Sequence, residues 1–248
     1  MGTRLILNGI SKKRHDRPSD YLFRDISAEV GEGERVAVIG TSGQGKTTLL
    51  RILARLDRPD EGELRLHGKS SDGWKPQEWR KKICYVAQQP VMLPGSVEEN
   101  LQTVSRLHGT PFDRGLAERY MAALGLDGLD WSKQGGDLSG GEKQRTALVR
   151  AMLLQPDVML LDEVTASLDP GSKRAAERLL VDWSQSGGAS LVWITHDLEQ
   201  AAQTSDSVWF MDEGRLMESA LTAEFFREPS TEQARRFISR PDREREVD

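Results

Sequence analysis

Hydrophobic positions along this chain fall into two periods, and the changes between them mark its elements. Runs in which every second or nearly every residue is apolar predict strands at Arg4–Gly9, Phe23–Val30 and Arg35–Ile39, then at Glu63–His67 and Ile83–Ala87. Val158–Leu161 and Ser190–Thr195 are unbroken apolar runs, the pattern of parallel strands covered on both faces. Between them Ala176, Leu179, Leu180 and Trp183 recur at helical spacing, so the stretch predicts a strand–helix–strand crossover. Further helices are predicted over Lys46–Leu56, Ser96–Ser105, Asp113–Leu124, Gly140–Leu153 and Thr231–Ile238. The first of these stops at Arg58-Pro59-Asp60-Glu61-Gly62, a strong turn signal. From Pro241 to Asp248 the chain is mostly charged, which predicts a frayed end.

A chain of 248 residues with 37% hydrophobic and 29% charged side chains can bury a sizeable core in one domain or two. Lys and Arg number 34 against 39 Asp and Glu, and the net charge of −5 argues against nucleic acid as a partner, because phosphate contacts need a basic surface. The basic stretch Lys75–Lys82 accordingly reads as a solvated helical face. Nowhere do 18 apolar residues follow one another, so no membrane span is expected. The N-terminal residues carry neither the apolar core nor the cleavage site of a signal peptide. The single cysteine, Cys84, can form no internal disulfide, which suits a reducing, cytoplasmic setting. In its β-like run it reads as a small buried hydrophobe rather than a redox group.

Candidate chemistry begins at Gly40-Thr41-Ser42-Gly43-Gln44-Gly45-Lys46-Thr47, a G-x-x-x-x-G-K-[ST] phosphate loop followed by Thr48. It follows a predicted strand and opens a predicted helix. Glycines let successive backbone N–H groups curl into an anion nest, and the helix N-terminus adds partial positive charge. Lys46 is expected to reach the β- and γ-phosphates of a nucleotide, and the Thr47 hydroxyl to ligate Mg²⁺. Val158-Met-Leu-Leu-Asp162-Glu163 then ends a buried strand in two carboxylates, at the edge where open α/β sheets bind ligands. Asp162 is a candidate Mg²⁺ ligand and Glu163 a candidate general base for an attacking water. Were the phosphate loop absent, Glu163 would read about equally well as a carboxylate capping the next loop.

Between these motifs, Leu138-Ser-Gly-Gly-Glu-Lys-Gln-Arg145 resembles the signature octet of ATP-binding-cassette (ABC) ATPases at every position. Its Ser139, Gly140 and Gly141 open a helix whose unpaired N–H groups can face an anion. Smaller motifs resemble the same family. Tyr85-Val-Ala-Gln88-Gln-Pro90 is similar to its Q-loop, in which the glutamine meets Mg²⁺ and the water site. The spacing to Pro90 favours Gln88, with Gln89 the lesser candidate. Ser167-Leu168-Asp169 is similar to the D-loop, and Thr195-His196-Asp197 to the switch-histidine segment. Val164 stands where most relatives have proline, which predicts a less rigid turn after Glu163. The aromatic residue that usually stacks on adenine has no clean counterpart: Arg14 or His15 falls nearest, and Tyr21 lies close to the next strand.

The resemblance implies an α/β phosphate-loop core with a mixed, mainly parallel sheet, an antiparallel β subdomain and an inserted helical subdomain. Core and β subdomain would span residues 1–88 and 156–230, the helical subdomain 89–155, and a C-terminal helix and tail 231–248. It implies a homodimer whose two ATP sites pair the phosphate loop and Glu163 of one subunit with Ser139–Gly141 of the other, Asp169 lying at the interface. It further implies a separate transmembrane permease, docked on a groove around Gln89–Asn100 with Val91, Met92, Leu93 and Val97 as apolar surface, and a peripheral position on the cytoplasmic face of the membrane. Residues 78–90, 161–165 and 191–197 resemble the bacterial FetA-type ATPases associated with iron export. Glu224-Phe-Phe-Arg-Glu-Pro229 and Arg236-Phe-Ile238 instead resemble phosphate and polar amino-acid importer ATPases. Only 92 positions separate Thr47 from Ser139, without heptads, so the coiled-coil ABC proteins of chromosome maintenance are excluded. A soluble regulatory ATPase with no membrane partner is the alternative of another class.

Overall fold

The computed structural model describes residues 2–17 and 19–239, and the charged run Pro241–Asp248 lies outside them. The chain opens with a hairpin of β1 (Thr3–Lys13) and β2 (Tyr21–Gly31), followed by β3 (Arg35–Ile39), α1 (Lys46–Leu53), β4 (Glu61–Leu66) and β5 (Lys69–Ser70). Then come α2 (Pro76–Lys82), β6 (Ile83–Val86), α3 (Val97–His108), α4 (Arg114–Ala123), α5 (Gly140–Leu153) and β7 (Val158–Asp162). The last third holds α6 (Pro170–Gly187), β8 (Ser190–Ile194), α7 (Leu198–Thr204), β9 (Ser207–Asp212), β10 (Arg215–Leu221), α8 (Thr222–Arg227) and α9 (Glu232–Ser239).

Among the described residues ten strands form two sheets. One has the order β10-β9-β3-β8-β7-β6, parallel except for β10; the other, β2-β1-β4-β5, is antiparallel throughout. This is the mixed α/β architecture of phosphate-loop nucleotide hydrolases. The runs β7 and β8 are buried at every residue, as their unbroken apolar sequence requires. One core lies between α1, the antiparallel sheet and one face of the parallel sheet, from Leu5 and Phe23 to Trp209. A second joins α3, α4, α5 and α6 to β7 and β8, with Trp183 and Trp193 inside it as their spacing predicted.

Local chemistry explains where elements outrun or fall short of their pattern. Strand β1 continues past Gly9 because this glycine, at φ 61°, makes a bulge and donates its N–H to Ser27 Oγ at 2.9 Å. Helix α1 stops three residues before Leu56. Arg55 turns left-handed at φ 54°, with its N–H on Ile52 O and that of Leu56 on Arg51 O, a Schellman cap made without glycine. Its guanidinium then donates to the carbonyls of Ser71 and Trp74 and lies over the Trp79 ring. Trp79 is the buried exception on the otherwise solvated basic helix α2. The β9–β10 hairpin turns at Glu213 and Gly214, both at positive φ.

Candidate functional site

The phosphate loop runs from β3 to α1, and two of its glycines, Gly40 and Gly45, leave no room for a larger residue. Gly40 sits at φ 143°, where a Cβ atom would lie 2.0 Å from the Met211 carbonyl oxygen. Gly45, at φ 85°, packs under Leu22 and Phe23. Gln44 braces the loop: its amide donates to Thr41 Oγ1 at 3.0 Å and accepts from Gly214 N at 2.9 Å. Of the predicted nucleotide contacts, Gln44 therefore spends its side chain on Thr41 of the loop and on the β9–β10 turn. Lys46 is buried, and its ammonium donates to the carbonyls of Gly40 and Thr41, both at 2.7 Å. Burial lowers its pKa to about 8, against the pull of Glu163 and Asp162.

Asp162, the last residue of β7, accepts from Thr47 Oγ1 at 3.0 Å on one oxygen and from the Tyr85 hydroxyl at 2.7 Å on the other. Its burial raises the carboxyl pKa, and those two hydrogen bonds oppose the shift. Converging hard oxygens from Thr47 and Asp162 fit a Mg²⁺ site. Glu163 follows in a left-handed turn at φ 49°, and its N–H donates to Ile194 O, which ties the turn to β8. Val164, at the position where proline is usual, buries its side chain in the second core. One Glu163 oxygen lies 2.8 Å from His196 Nε2 and the other accepts from Gln88 Nε2 at 2.9 Å. The hydrogen bond from His196 holds the Glu163 carboxyl below the usual carboxylate range. Ser42, Gly43, Gly45, Lys46, Thr47 and Thr48 share one pocket with Glu163, His196 and Leu22. Gln89 points instead into the groove beyond β6.

The signature lies elsewhere. Ser139 caps α5, its hydroxyl taking the N–H of Glu142 while the Glu142 carboxylate takes that of Ser139. Ser139 and Gly140 are exposed, and a Cβ on Gly140 would meet nothing within 4 Å. Asp169 is likewise exposed and caps α6 through the N–H groups of Gly171 and Ser172, both at 3.0 Å. Tyr21 donates its hydroxyl to Glu61 at 2.7 Å within the antiparallel sheet, whereas Arg14 and His15 stand exposed on the β1–β2 turn.

A groove of about 470 Å³ opens between Gln89–Leu93, α3 and α5. Val91 and Leu93 line it at 65% and 40% exposure, joined by Leu107 at 74%. Two expected members are absent from its wall. Val97 begins α3 facing inward and is fully buried, and Met92 packs against the second core beside Gly135. Cys84 edges the groove, and burial pushes its thiol up to about 12, so it stays protonated as a small hydrophobe. Arg150 holds the groove floor by donating to Asn100 Oδ1 at 2.8 Å and Val91 O at 2.6 Å. Sequence reasoning passed over Tyr85 and Arg150. The only signal for Tyr85 is a phenol within a buried strand, whose hydroxyl must find a partner.

A glycine loop between strand and helix, a lysine inside it, and two carboxylates at the end of β7, one strand removed from β3 across β8, define a phosphate-loop nucleotide hydrolase. Comparison narrows this further. A family model described as ABC transporter matches residues 23–166, and the chain belongs to that family as an ATP-binding subunit. It is 37% identical over 225 residues to YjkB of Bacillus subtilis (strain 168), whose name puts it among ABC transporter ATP-binding proteins; the match covers 91% of this chain and 89% of YjkB. It is 36% identical over 230 residues to the L-cystine import ATP-binding protein TcyN of the same organism, covering 89% and 88%. A solved structure titled as the ATP binding subunit of an ABC transporter superposes with a TM-score of 0.79 at 26% identity, covering 91% of this chain and 92% of that one.

Proposed function

We propose that the protein binds ATP on the phosphate loop and hydrolyses it as one half of a homodimer that drives a separate transmembrane permease. The observation that carries this reading is the convergence of Glu163, His196 and Gln88 beside Lys46 and Thr47, while Ser139 and Gly140 stand exposed outside that pocket. A second subunit would bring its Ser139 N-terminus of α5 against the γ-phosphate and complete the cradle. Gly140, with open space around it, is suited to such an approach.

In the proposed reaction Glu163 accepts a proton from water as the water oxygen bonds to the γ-phosphorus and the bond to the β–γ bridging oxygen breaks. Gln88 orients that water, His196 turns its Nε2–H from Glu163 to the γ-phosphate as Glu163 takes the water, and Lys46 stabilises charge on the transferred group. Thr47 and Asp162, with Gln88, would hold Mg²⁺, which supplies charge neutralisation on the β- and γ-oxygens. Asp169 is assigned to the dimer interface.

The groove between Val91, Leu93 and Leu107 would receive an apolar helix from the cytoplasmic side of the permease, and the subunit would ride peripherally on the membrane. No helix among the described residues is long and apolar enough to cross a membrane, consistent with a separate pathway-forming chain. For cargo, the resemblance of residues 78–90, 161–165 and 191–197 to the FetA type favours metal export. The likeness to TcyN, named for L-cystine import, favours an amino-acid importer as the second reading. Isolation of tagged protein from detergent-solubilised membranes tests the assignment. Co-purification of a polytopic membrane protein is the expected result, and recovery of the tagged chain alone would favour a regulatory ATPase. Stimulation of ATP turnover by an external solute-binding protein would favour import over export.

A further inference from the structure

Gln200 lies in the first turn of α7 and is 4% exposed, yet every polar group of its side chain is engaged. Its amide nitrogen donates to Thr165 Oγ1 at 2.8 Å and to Glu177 Oε1 of α6 at 2.9 Å. Its amide oxygen accepts from the Thr195 hydroxyl. Asp197 and Gln200 have the spacing of a helix capping box, and Asp197 does take the Gln200 N–H at 3.0 Å. The reciprocal half is missing. The Asp197 N–H goes to Thr195 Oγ1 at 3.0 Å, which frees the Gln200 amide to reach across to another strand end.

We propose that Gln200 is a positioning residue for ATP hydrolysis: its amide ties Thr195, one residue before His196, to Thr165, two residues after Glu163, and so fixes the imidazole against the carboxylate. The two groups stand on separate strand ends, after β8 and after β7, and meet at 2.8 Å. Among the described residues the ring makes one hydrogen bond, to Glu163. His196 Nδ1 is buried and has no hydrogen-bond partner among the described residues, so the imidazole is held through Nε2 and through the backbone that Thr195 anchors. Glu177 gives the brace its third point, on the helix that Asp169 caps. A cavity of about 300 Å³, walled by Glu163, Thr165, Lys173, His196 and Asp197, lies beside the amide, so packing alone does not lock this corner.

The inference rests on the reading of Glu163 and His196 as the hydrolytic pair, and the experiment separates the two. ATP turnover and nucleotide dissociation constants are measured for the wild type, for Gln200→Leu, for Gln200→Glu and for the reciprocal swap Gln200→Glu with Glu177→Gln. Loss of the brace should lower kcat about tenfold or more in both single variants with the dissociation constant within about twofold, since misplacement near 1 Å is felt in the chemical step rather than in binding. The swap returns a donor to position 177 and three acceptor contacts to position 200 at nearly constant volume, and should recover kcat to within about threefold of wild type. Wild-type kcat in Gln200→Leu overturns the proposal. So does a swap that folds, by its thermal midpoint, but stays as slow as Gln200→Glu alone. A wild type that binds ATP without turnover would overturn the hydrolytic reading itself, together with this one.

Discussion

His196 Nε2 and Glu163 Oε1 lie 2.8 Å apart, on turns that follow two adjacent parallel strands. The opposite oxygen of the carboxylate accepts from Gln88, so one acid gathers groups from the ends of β6, β7 and β8. Its hydrogen bond from His196 holds the carboxyl below the usual carboxylate range, which suits the proposed role of general base. Glu163→Gln keeps the shape and removes the proposed base. Phosphate release should fall by about 10² or more while ATP still binds, and the variant should collect as an ATP-held dimer in light scattering. Undiminished turnover would remove Glu163 from the role.

Lys46 is expected to make nucleotide affinity depend on pH. Burial favours the neutral amine and brings its pKa to about 8. The ammonium is therefore present below that pH and is lost above it, whereas bound phosphate favours the charged form. The dissociation constant for ATP should be flat from pH 6.5 to 7.5 and rise towards about tenfold per unit above pH 8, up to the pKa of the complex. Lys46→Ala should bind weakly at every pH, without that rise. Fluorescent nucleotide titrations at fixed ionic strength read both.

Ser139→Arg places a long cation at an exposed helix start. It should abolish ATP-driven dimerisation in the Glu163→Gln background and leave monomer affinity within about twofold, at a cost of about 1 kcal/mol from the lost cap. Unchanged dimerisation would refute the split site.

Tyr85→Phe deletes the hydroxyl on Asp162 Oδ2 and leaves the ring. A carboxylate that loses an orienting partner binds metal about tenfold more weakly or worse. The Mg²⁺ concentration for half-maximal turnover should rise accordingly, while metal-free nucleotide binding stays constant by calorimetry.

Gly40→Ala sets a methyl group against the Met211 carbonyl in a backbone region open to glycine. Strain and clash together should cost at least about 2 kcal/mol, read as a lower thermal midpoint.

Much of this was legible in the amino-acid order because the chemistry is local. A loop of one strand, six residues and one helix writes itself contiguously, and so does a signature that caps its own helix. Long-range partners leave no such trace. Tyr85 reaches Asp162 across 77 positions and Gln200 reaches Thr165 across 35, so neither could be read from spacing. The groove was misread at Val97 for a related reason. An apolar residue at a helix start can face either way, and only the docking of α3 on α5 turns it inward. The length of β1 was underestimated because Gly9 looks like an end and acts as a bulge.

Helix α5 joins the proposed docking groove and the exposed Ser139 by a single rod. Ser139 caps one end, and Ala147, Arg150, Ala151 and Leu154 line the groove toward the other. Its 14 residues span about 20 Å. A rod of that length turns angle into displacement: a tilt of about 5° at the groove end swings Ser139 through nearly 2 Å by the rise per residue. Hydrogen bonds to an anion are lost well within that distance. A leverage so large needs no bending of the helix and no melting of its ends. An occupant of the groove has only to rock α5 slightly to bring the Ser139 N-terminus into or out of reach of a phosphate.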